Sequence, residues 1–211
     1  MKDVLYIITG TSRGIGRKLE EIFEEKNVDF LSINRQDVDL SDTKQVVDFL
    51  ESTRNFLNHS YPFHKIVFIN NASNLGNPAP LGETSPKEIT AAINTNFIAP
   101  VLFFNFLATL NNKWLLVNMT SGAANTENKY LGIYSTTKLA VEKYIKFIEL
   151  EETNCVGVYN YNPQVVLTDM NKALRDNKFF KNEKFDNIVP KDAKITADEI
   201  WNFLQEINKD D

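Results

Sequence analysis

The 211-residue sequence is poor in the residues that build metal sites and cross-links, with one cysteine and two histidines. A single thiol allows no disulfide within the chain. Cys155, at the start of an apolar run, reads as a buried strand thiol. His59 and His64 flank Tyr61-Pro62 without a partner cluster, so both read as surface or structural residues, and no metal-ligand spacing occurs. No uninterrupted apolar run approaches the roughly 18 residues of a membrane span. Positive charge is also short: 23 Lys and Arg face 28 Asp and Glu, a net charge of −5. Phosphate backbones need a basic stripe, so nucleic acid is excluded as the main partner. A small anionic ligand needs only a local basic site and stays open. A strand directly after Met1 leaves no room for a signal peptide, and the expected location is cytoplasmic. There is no repeat, low-complexity stretch or linker, so one domain is expected.

What the chain does have is an alternation of short apolar runs and helix-like segments. Val4–Ile8, Asp29–Ile33, Ile66–Ile69, Trp114–Asn118 and Val156–Tyr161 read as strands. Ile15–Lys26, Thr43–Leu57, a long interrupted segment from Pro86 to Leu110, Tyr134–Glu151 and Ala197–Ile207 read as helices. Buried strands separated by helices imply an α/β fold, a doubly wound parallel sheet with helices on both faces. Asn71–Ser85 and Pro163–Ala193 lack periodicity. Both follow strands and so emerge at the carboxyl edge of the sheet, where ligands bind in such folds. The second holds Phe179, Phe180 and Phe185 among lysines and asparagines. It reads as a mobile surface segment or as a substrate lid over about 164–193.

Thr9-Gly10-Thr11-Ser12-Arg13-Gly14-Ile15-Gly16 lies between the first strand and the first helix. Glycines there permit a tight turn and let a pyrophosphate approach the helix N-terminus. A nucleotide-hydrolase loop would end in Gly-Lys-Ser/Thr; here Gly16-Arg17-Lys18 follows, and that reading fails. Far downstream, Tyr134-Ser135-Thr136-Thr137-Lys138 places a phenol and an amine on one helix face. Ser121 closes Asn118-Met119-Thr120-Ser121, after a strand. Together these motifs resemble the short-chain dehydrogenase/reductase family, in its sepiapterin reductase and benzil reductase branch. The likeness covers about residues 3 to 170.

That resemblance implies a Rossmann-like fold and four catalytic residues: Tyr134 as proton donor, Lys138, Ser121 and Asn96. Pro100 has no N–H to offer the Asn96 carbonyl, which would then be free to hold a water leading towards Lys138. A tyrosine needs tuning from its ordinary pKa near 10. An ammonium about 4 Å away at an effective dielectric near 20 contributes on the order of 4 kcal/mol, or roughly three pKa units. The resemblance further implies cofactor contacts from Gly10, Ser12, Arg13, Gly14, Ile15, Gly16, Asn71, Ala72, Tyr134, Lys138, Val166 and Thr168, with Asp39 and Leu40 at the adenine. Ser73 stands where the family's Asn-Asn-Ala-Gly has glycine.

After the second strand, an NAD site usually carries a carboxylate. This chain has Asn34 and Arg35, and Arg13 lies in the glycine loop. The two arginines either clamp a 2′-phosphate or are solvated surface residues; the expectation is NADP(H). The implied activity is reduction of a small ketone, diketone or aldehyde, with a non-catalytic NADP-binding redox sensor as the alternative. Phe97, Tyr130, Val166 and the Phe179–Phe185 segment are candidate pocket walls. The chain stops at Asp211, short of the family's last strand, so about six strands are expected. Phe103, Phe104, Phe106, Tyr144 and Phe147 exceed one buried stripe, which points to a homodimer through the helices around Pro100–Leu110 and Tyr134–Glu149.

Overall fold

A computed structural model describes residues 4–60, 63–152 and 154–208; the His59 side chain, Tyr61 and Pro62 lie outside the described residues. Five strands, β1 (Val4–Thr9), β2 (Asp29–Ile33), β3 (Lys65–Asn70), β4 (Lys113–Met119) and β5 (Cys155–Tyr161), form one parallel sheet in the order β2-β1-β3-β4-β5. Alternate side chains of each strand enter different cores. Ile66 and Phe68 of β3 join Phe103, Phe104, Leu107 and Ile145 on one face. Val67 and Ile69 join Leu19, Phe23, Ile200 and Leu204 on the other. Because helices cover both faces, the central strands carry unbroken apolar stretches, Val4–Ile8, Ile66–Ile69 and Trp114–Val117, rather than an alternation.

The first core is closed by α2 (Thr43–Ser60), α4 (Ala99–Ala108) and α5 (Gly132–Glu151), the second by α1 (Gly14–Glu25) and α8 (Ala193–Ile207). α3 (Pro86–Ile93) starts at a capping box: Ser85 Oγ accepts from the Glu88 N–H, and Glu88 accepts from the Ser85 N–H. α3 runs into α4 through a π turn over Asn94–Ile98, where the Ala99 N–H reaches the Asn94 carbonyl. The combined stretch Pro86–Ala108 is long and apolar enough to span a membrane, unlike any uninterrupted apolar run. Here its phenylalanines pack on the sheet: Phe103 stacks on Phe68 at 5.2 Å and Phe104 meets the same ring edge-on at 6.1 Å.

Two expectations change. Among the described residues the sheet has five strands, not six. The chain after β5, interrupted by Pro163 and Pro190, contributes only a one-residue parallel bridge between Val166 and Lys191. It folds instead into α6 (Asp169–Arg175) and α7 (Glu183–Asp186), capped by Thr168 and Asn182. Secondly, Phe103, Phe104 and Phe106 are buried in the protein's own core and Tyr144 stacks on Phe104, so only Phe147 stays exposed of the five aromatics. The aromatic excess on α4 and α5 is taken up largely within the chain's own core.

Candidate active site

Strand order reverses at β1, whose neighbours are β2 and β3, and the crevice above such a point is where open α/β sheets bind ligands. A crevice of about 840 Å³ opens there. Gly10, Ser12, Arg13, Gly14, Ile15, Gly16, Asn34, Arg35, Asp39, Leu40, Asn71, Ala72, Tyr134, Lys138 and Thr168 line it. Asn96, Ser121 and Val166 do not. Val166 is buried at its bridge with Lys191, away from the crevice lining.

The glycine loop is held by close backbone approaches. Gly10 has a φ of +79°, and a Cβ on it would come within 2.7 Å of the Ala72 Cα. A Cβ on Gly16 would collide with the Gly10 carbonyl and come within 2.6 Å of the Asn71 amide nitrogen. Gly16 thus serves the loop itself more than helix–strand packing. Asn71 braces that loop, donating to the carbonyls of Thr9 and Gly10 at 2.9 and 3.1 Å. The result is a cradle at the N-terminus of α1 where glycine backbone stands open to the crevice, which fits a dinucleotide pyrophosphate.

At the far side of the loop, Arg35 pairs with Asp39 at 3.2 Å and Arg13 with Asp169 of α6 at 3.3 Å. Both guanidinium groups are solvent-exposed. Asp39 also accepts from the backbone and hydroxyl of Ser41, which hold its carboxyl below the usual range, with Arg35 adding to the effect. The cap of α2 is Asp42, which accepts from the Gln45 N–H, so Asp39 is left facing the crevice.

Tyr134 and Lys138 project from the first turns of α5 and are buried. The Lys138 ammonium donates to the Met119 carbonyl at the end of β4 at 2.8 Å and lies 5.9 Å from the centre of the Tyr134 ring. Burial pushes its pKa down to about 8, opposed by Glu142 one turn on. Glu142 is itself held by the Thr120 hydroxyl. Burial raises the Tyr134 phenol above its ordinary pKa, opposed by the hydroxyls of Ser121 and Ser73. The sequence-based expectation of a phenol drawn down by Lys138 is therefore reversed. Desolvation of the phenolate outweighs every favourable contact, and the ammonium is spent on a backbone carbonyl.

Asn96 is buried in the π turn. Its amide oxygen accepts from the Asn74 N–H at 2.7 Å, and its amide nitrogen donates to the Asn74 carbonyl at 2.8 Å and to Thr137 Oγ1 at 3.1 Å. The side chain thus pins the β3–α3 loop to α5. Sequence reasoning missed Ser73 and Asn74 as site residues; the departure from glycine at Ser73 was the available signal.

The proposed pocket walls are mostly placed elsewhere. Phe97 packs on Tyr144, and Phe180 forms a small separate core with Leu131 and Leu174. Tyr130 and Phe179 pair with each other. These aromatics find partners closer than the crevice. Its outer walls are Leu75, Pro78, Met119, Met170, Ala173 and Asn177 instead.

Comparison with known proteins agrees with this geometry. The family described as short chain dehydrogenase matches residues 36–178. The chain is 28% identical to a benzil reductase ((S)-benzoin forming) of Bacillus subtilis over 189 residues, covering 81% of this chain and 78% of that protein. It is 27% identical to the sepiapterin reductase of Xenopus laevis over 203 residues, covering 81% and 76%. Among solved structures, a 4-hydroxyisoleucine dehydrogenase complexed with NADH superposes with a TM-score of 0.77 at 16% identity, covering 96% and 91%. ElxO with NADP bound gives 0.71 at 18%, covering 95% and 90%. With its five-stranded parallel sheet, its glycine cradle and the match over most of its length, the chain belongs to the short-chain dehydrogenase/reductase family and is an oxidoreductase.

Proposed function

We propose that the protein is an NADPH-dependent carbonyl reductase acting on a small ketone, diketone or aldehyde. One observation carries the reading: a buried phenol, flanked by two hydroxyls and one helical turn from a buried ammonium, borders the crevice that begins at the glycine cradle. The likeness to a benzil reductase and a sepiapterin reductase supports a carbonyl substrate. Bound NADPH would supply the hydride. The cradle of Gly10, Ser12, Gly14, Ile15 and Gly16 would take its pyrophosphate, with Asn71, Ala72 and Thr168 alongside. Arg13 and Arg35 would take the 2′-phosphate, exchanging their carboxylate partners Asp169 and Asp39 for a dianion.

In this reading Tyr134 gives its proton to the substrate oxygen, and Ser121 hydrogen-bonds that oxygen and polarises the carbonyl. Lys138 holds the ribose hydroxyls of the cofactor. Asn96 fixes the loop that faces Tyr134, and its backbone carbonyl, denied an N–H by Pro100, carries a water towards Lys138. The α6–α7 segment, within residues 164–193, acts as the lid. A homodimer in the cytoplasm completes the reading, its contact now carried by Leu139, Phe147 and Leu150, which lie exposed on α5.

The test is NADPH oxidation with benzil and a panel of diketones, ketones and aldehydes. Turnover is expected, and Tyr134→Phe should lower kcat by about 10² or more while NADPH still binds. A parent protein that binds NADPH and reduces no carbonyl would overturn the reading in favour of a redox sensor.

A further inference from the structure

Ser73 closes the motif Asn70-Asn71-Ala72-Ser73, which resembles a family pattern ending in glycine, so a hydroxyl stands where that pattern has no side chain. That hydroxyl lines the crevice. It donates to the amide oxygen of Asn96 at 3.4 Å, and with the Ser121 hydroxyl its hydrogen bonding opposes the burial of the Tyr134 phenol. A bond of 3.4 Å is long for a hydroxyl donor and is released at little cost. The Asn96 oxygen does not depend on it, because the Asn74 N–H already donates there at 2.7 Å. The loop does not depend on it either, because Asn74 is tied to Asn96 through both its N–H and its carbonyl. Asn96 itself cannot turn away, since its amide nitrogen is committed to Asn74 and Thr137. Thr137 in turn donates to the Tyr134 carbonyl at 2.9 Å, which fixes the spacing between Asn96 and the helix that carries the phenol.

A serine hydroxyl has one proton and two lone pairs, and two oxygens compete for that proton here. We infer that Ser73 is a positioning residue for the proton step, its hydroxyl proton resting on Asn96 while Tyr134 is protonated and turning to the Tyr134 oxygen once the phenol has given its proton away. No bond to Ser73 is made or broken. The Tyr134 O–H bond breaks, the proton goes to the substrate oxygen, and Ser73 changes only the direction of its donation. The gain is specific to the phenolate, because a neutral phenol can donate to Ser73 Oγ but does not need its proton. Ser121 approaches the same oxygen, but during reduction it is required at the substrate carbonyl. Ser73 is the hydroxyl left to the phenolate.

The inference rests on Tyr134 being the proton donor, and two readouts keep the two ideas apart. The first is alkaline titration of the Tyr134 phenol by near-ultraviolet absorbance, taken as the difference from Tyr134→Phe, which requires no turnover. The second is the pH profile of kcat for benzil reduction. In Ser73→Ala and Ser73→Gly the phenol midpoint should rise by about one unit, the size of a hydrogen bond to a charged oxygen. The limb of the rate profile should move with it. Ser73→Thr, which keeps the hydroxyl, should restore the parent midpoint, and thermal unfolding of Ser73→Gly should match the parent. A midpoint unchanged in Ser73→Ala by both readouts, or raised as much by Ser73→Thr, overturns the inference. A Ser73-dependent midpoint in a protein that reduces no carbonyl would leave it standing and remove the proposed reduction instead.

Discussion

Replacing Lys138 by methionine should stabilise the fold at neutral pH while removing activity. The ammonium is fully enclosed, and its pKa falls from the ordinary 10.5 to about 8 because burial penalises the charged form. At about 1.4 kcal/mol per unit, holding that charge at pH 7 costs the folded state roughly 3 kcal/mol. Methionine has similar length and no charge. It would orphan the Met119 carbonyl, which now accepts from the ammonium, at a cost of about 1 kcal/mol. The net gain is about 2 kcal/mol at pH 7. The sign follows from proton counts. The folded pKa lies below the unfolded one, so between about 8 and 10.5 the unfolded chain binds more protons and parent stability rises with pH. The advantage of Lys138→Met should therefore shrink across that window. Urea unfolding at pH 7 and at about pH 10 reads both values. A variant less stable than the parent at pH 7, or one whose advantage is the same at both pH values, would refute the burial argument.

Arg35→Asp should raise the KM for NADPH by about tenfold or more and change that for NADH far less, because the new carboxylate repels a 2′-phosphate and can accept from a ribose hydroxyl; equal effects in steady-state assays would count against the arginine clamp. Gly16→Ala should abolish cofactor binding by fluorescence titration, since its Cβ collides with the Gly10 carbonyl and the Asn71 amide; retained affinity would mean that the loop can shift. Cys155, its thiol pushed up to about 11 by burial, should alkylate at pH 8 about a hundredfold more slowly than a free cysteine and faster only on unfolding.

Most of the fold was legible because buried parallel strands and amphipathic helices write themselves in period and length. β2 begins and ends where the apolar run does, and β1, β3, β4 and β5 differ from it by a residue or so at their ends. α8 begins four residues earlier than its apolar pattern, at the cap supplied by Asp192, which accepts from Lys194 and Ile195. α6 and α7 were missed because their stability is not periodic. α7 is one turn long. Arg175 ties α6 to the α7 end by donating to the carbonyls of Phe185, Asp186 and Ile188, and lies over the Phe185 ring. Such long side-chain-to-backbone ties leave no trace in hydrophobic spacing. The expectation of a sixth strand has a related cause: counting against a pattern supplies a number, while the described residues after β5 fold into α6, α7 and a one-residue bridge.

At the crevice, which side chains lie near one another was legible and how deeply they are buried was not. Helical spacing correctly put Tyr134 one turn from Lys138, and the ends of strands put Ser121 and Asn71 at the same edge. Spacing alone made the pair look like an ion pair in waiting, with the ammonium lowering the phenol. Coordinates add the desolvation that spacing cannot see: both groups are buried, and each is shifted towards its neutral form. On the proposed reading, that state makes Tyr134 a weaker acid than a free phenol. Its phenolate is destabilised, the Lys138 ammonium is turned to the Met119 carbonyl, and the hydroxyls of Ser121 and Ser73 are the contacts that work against burial. On the same reading, proton transfer near neutral pH draws on added positive charge or added hydrogen bonds at the phenol. That is why a serine at position 73, unremarkable in a string of letters, matters more in three dimensions than the four-residue interval that first drew attention to Tyr134.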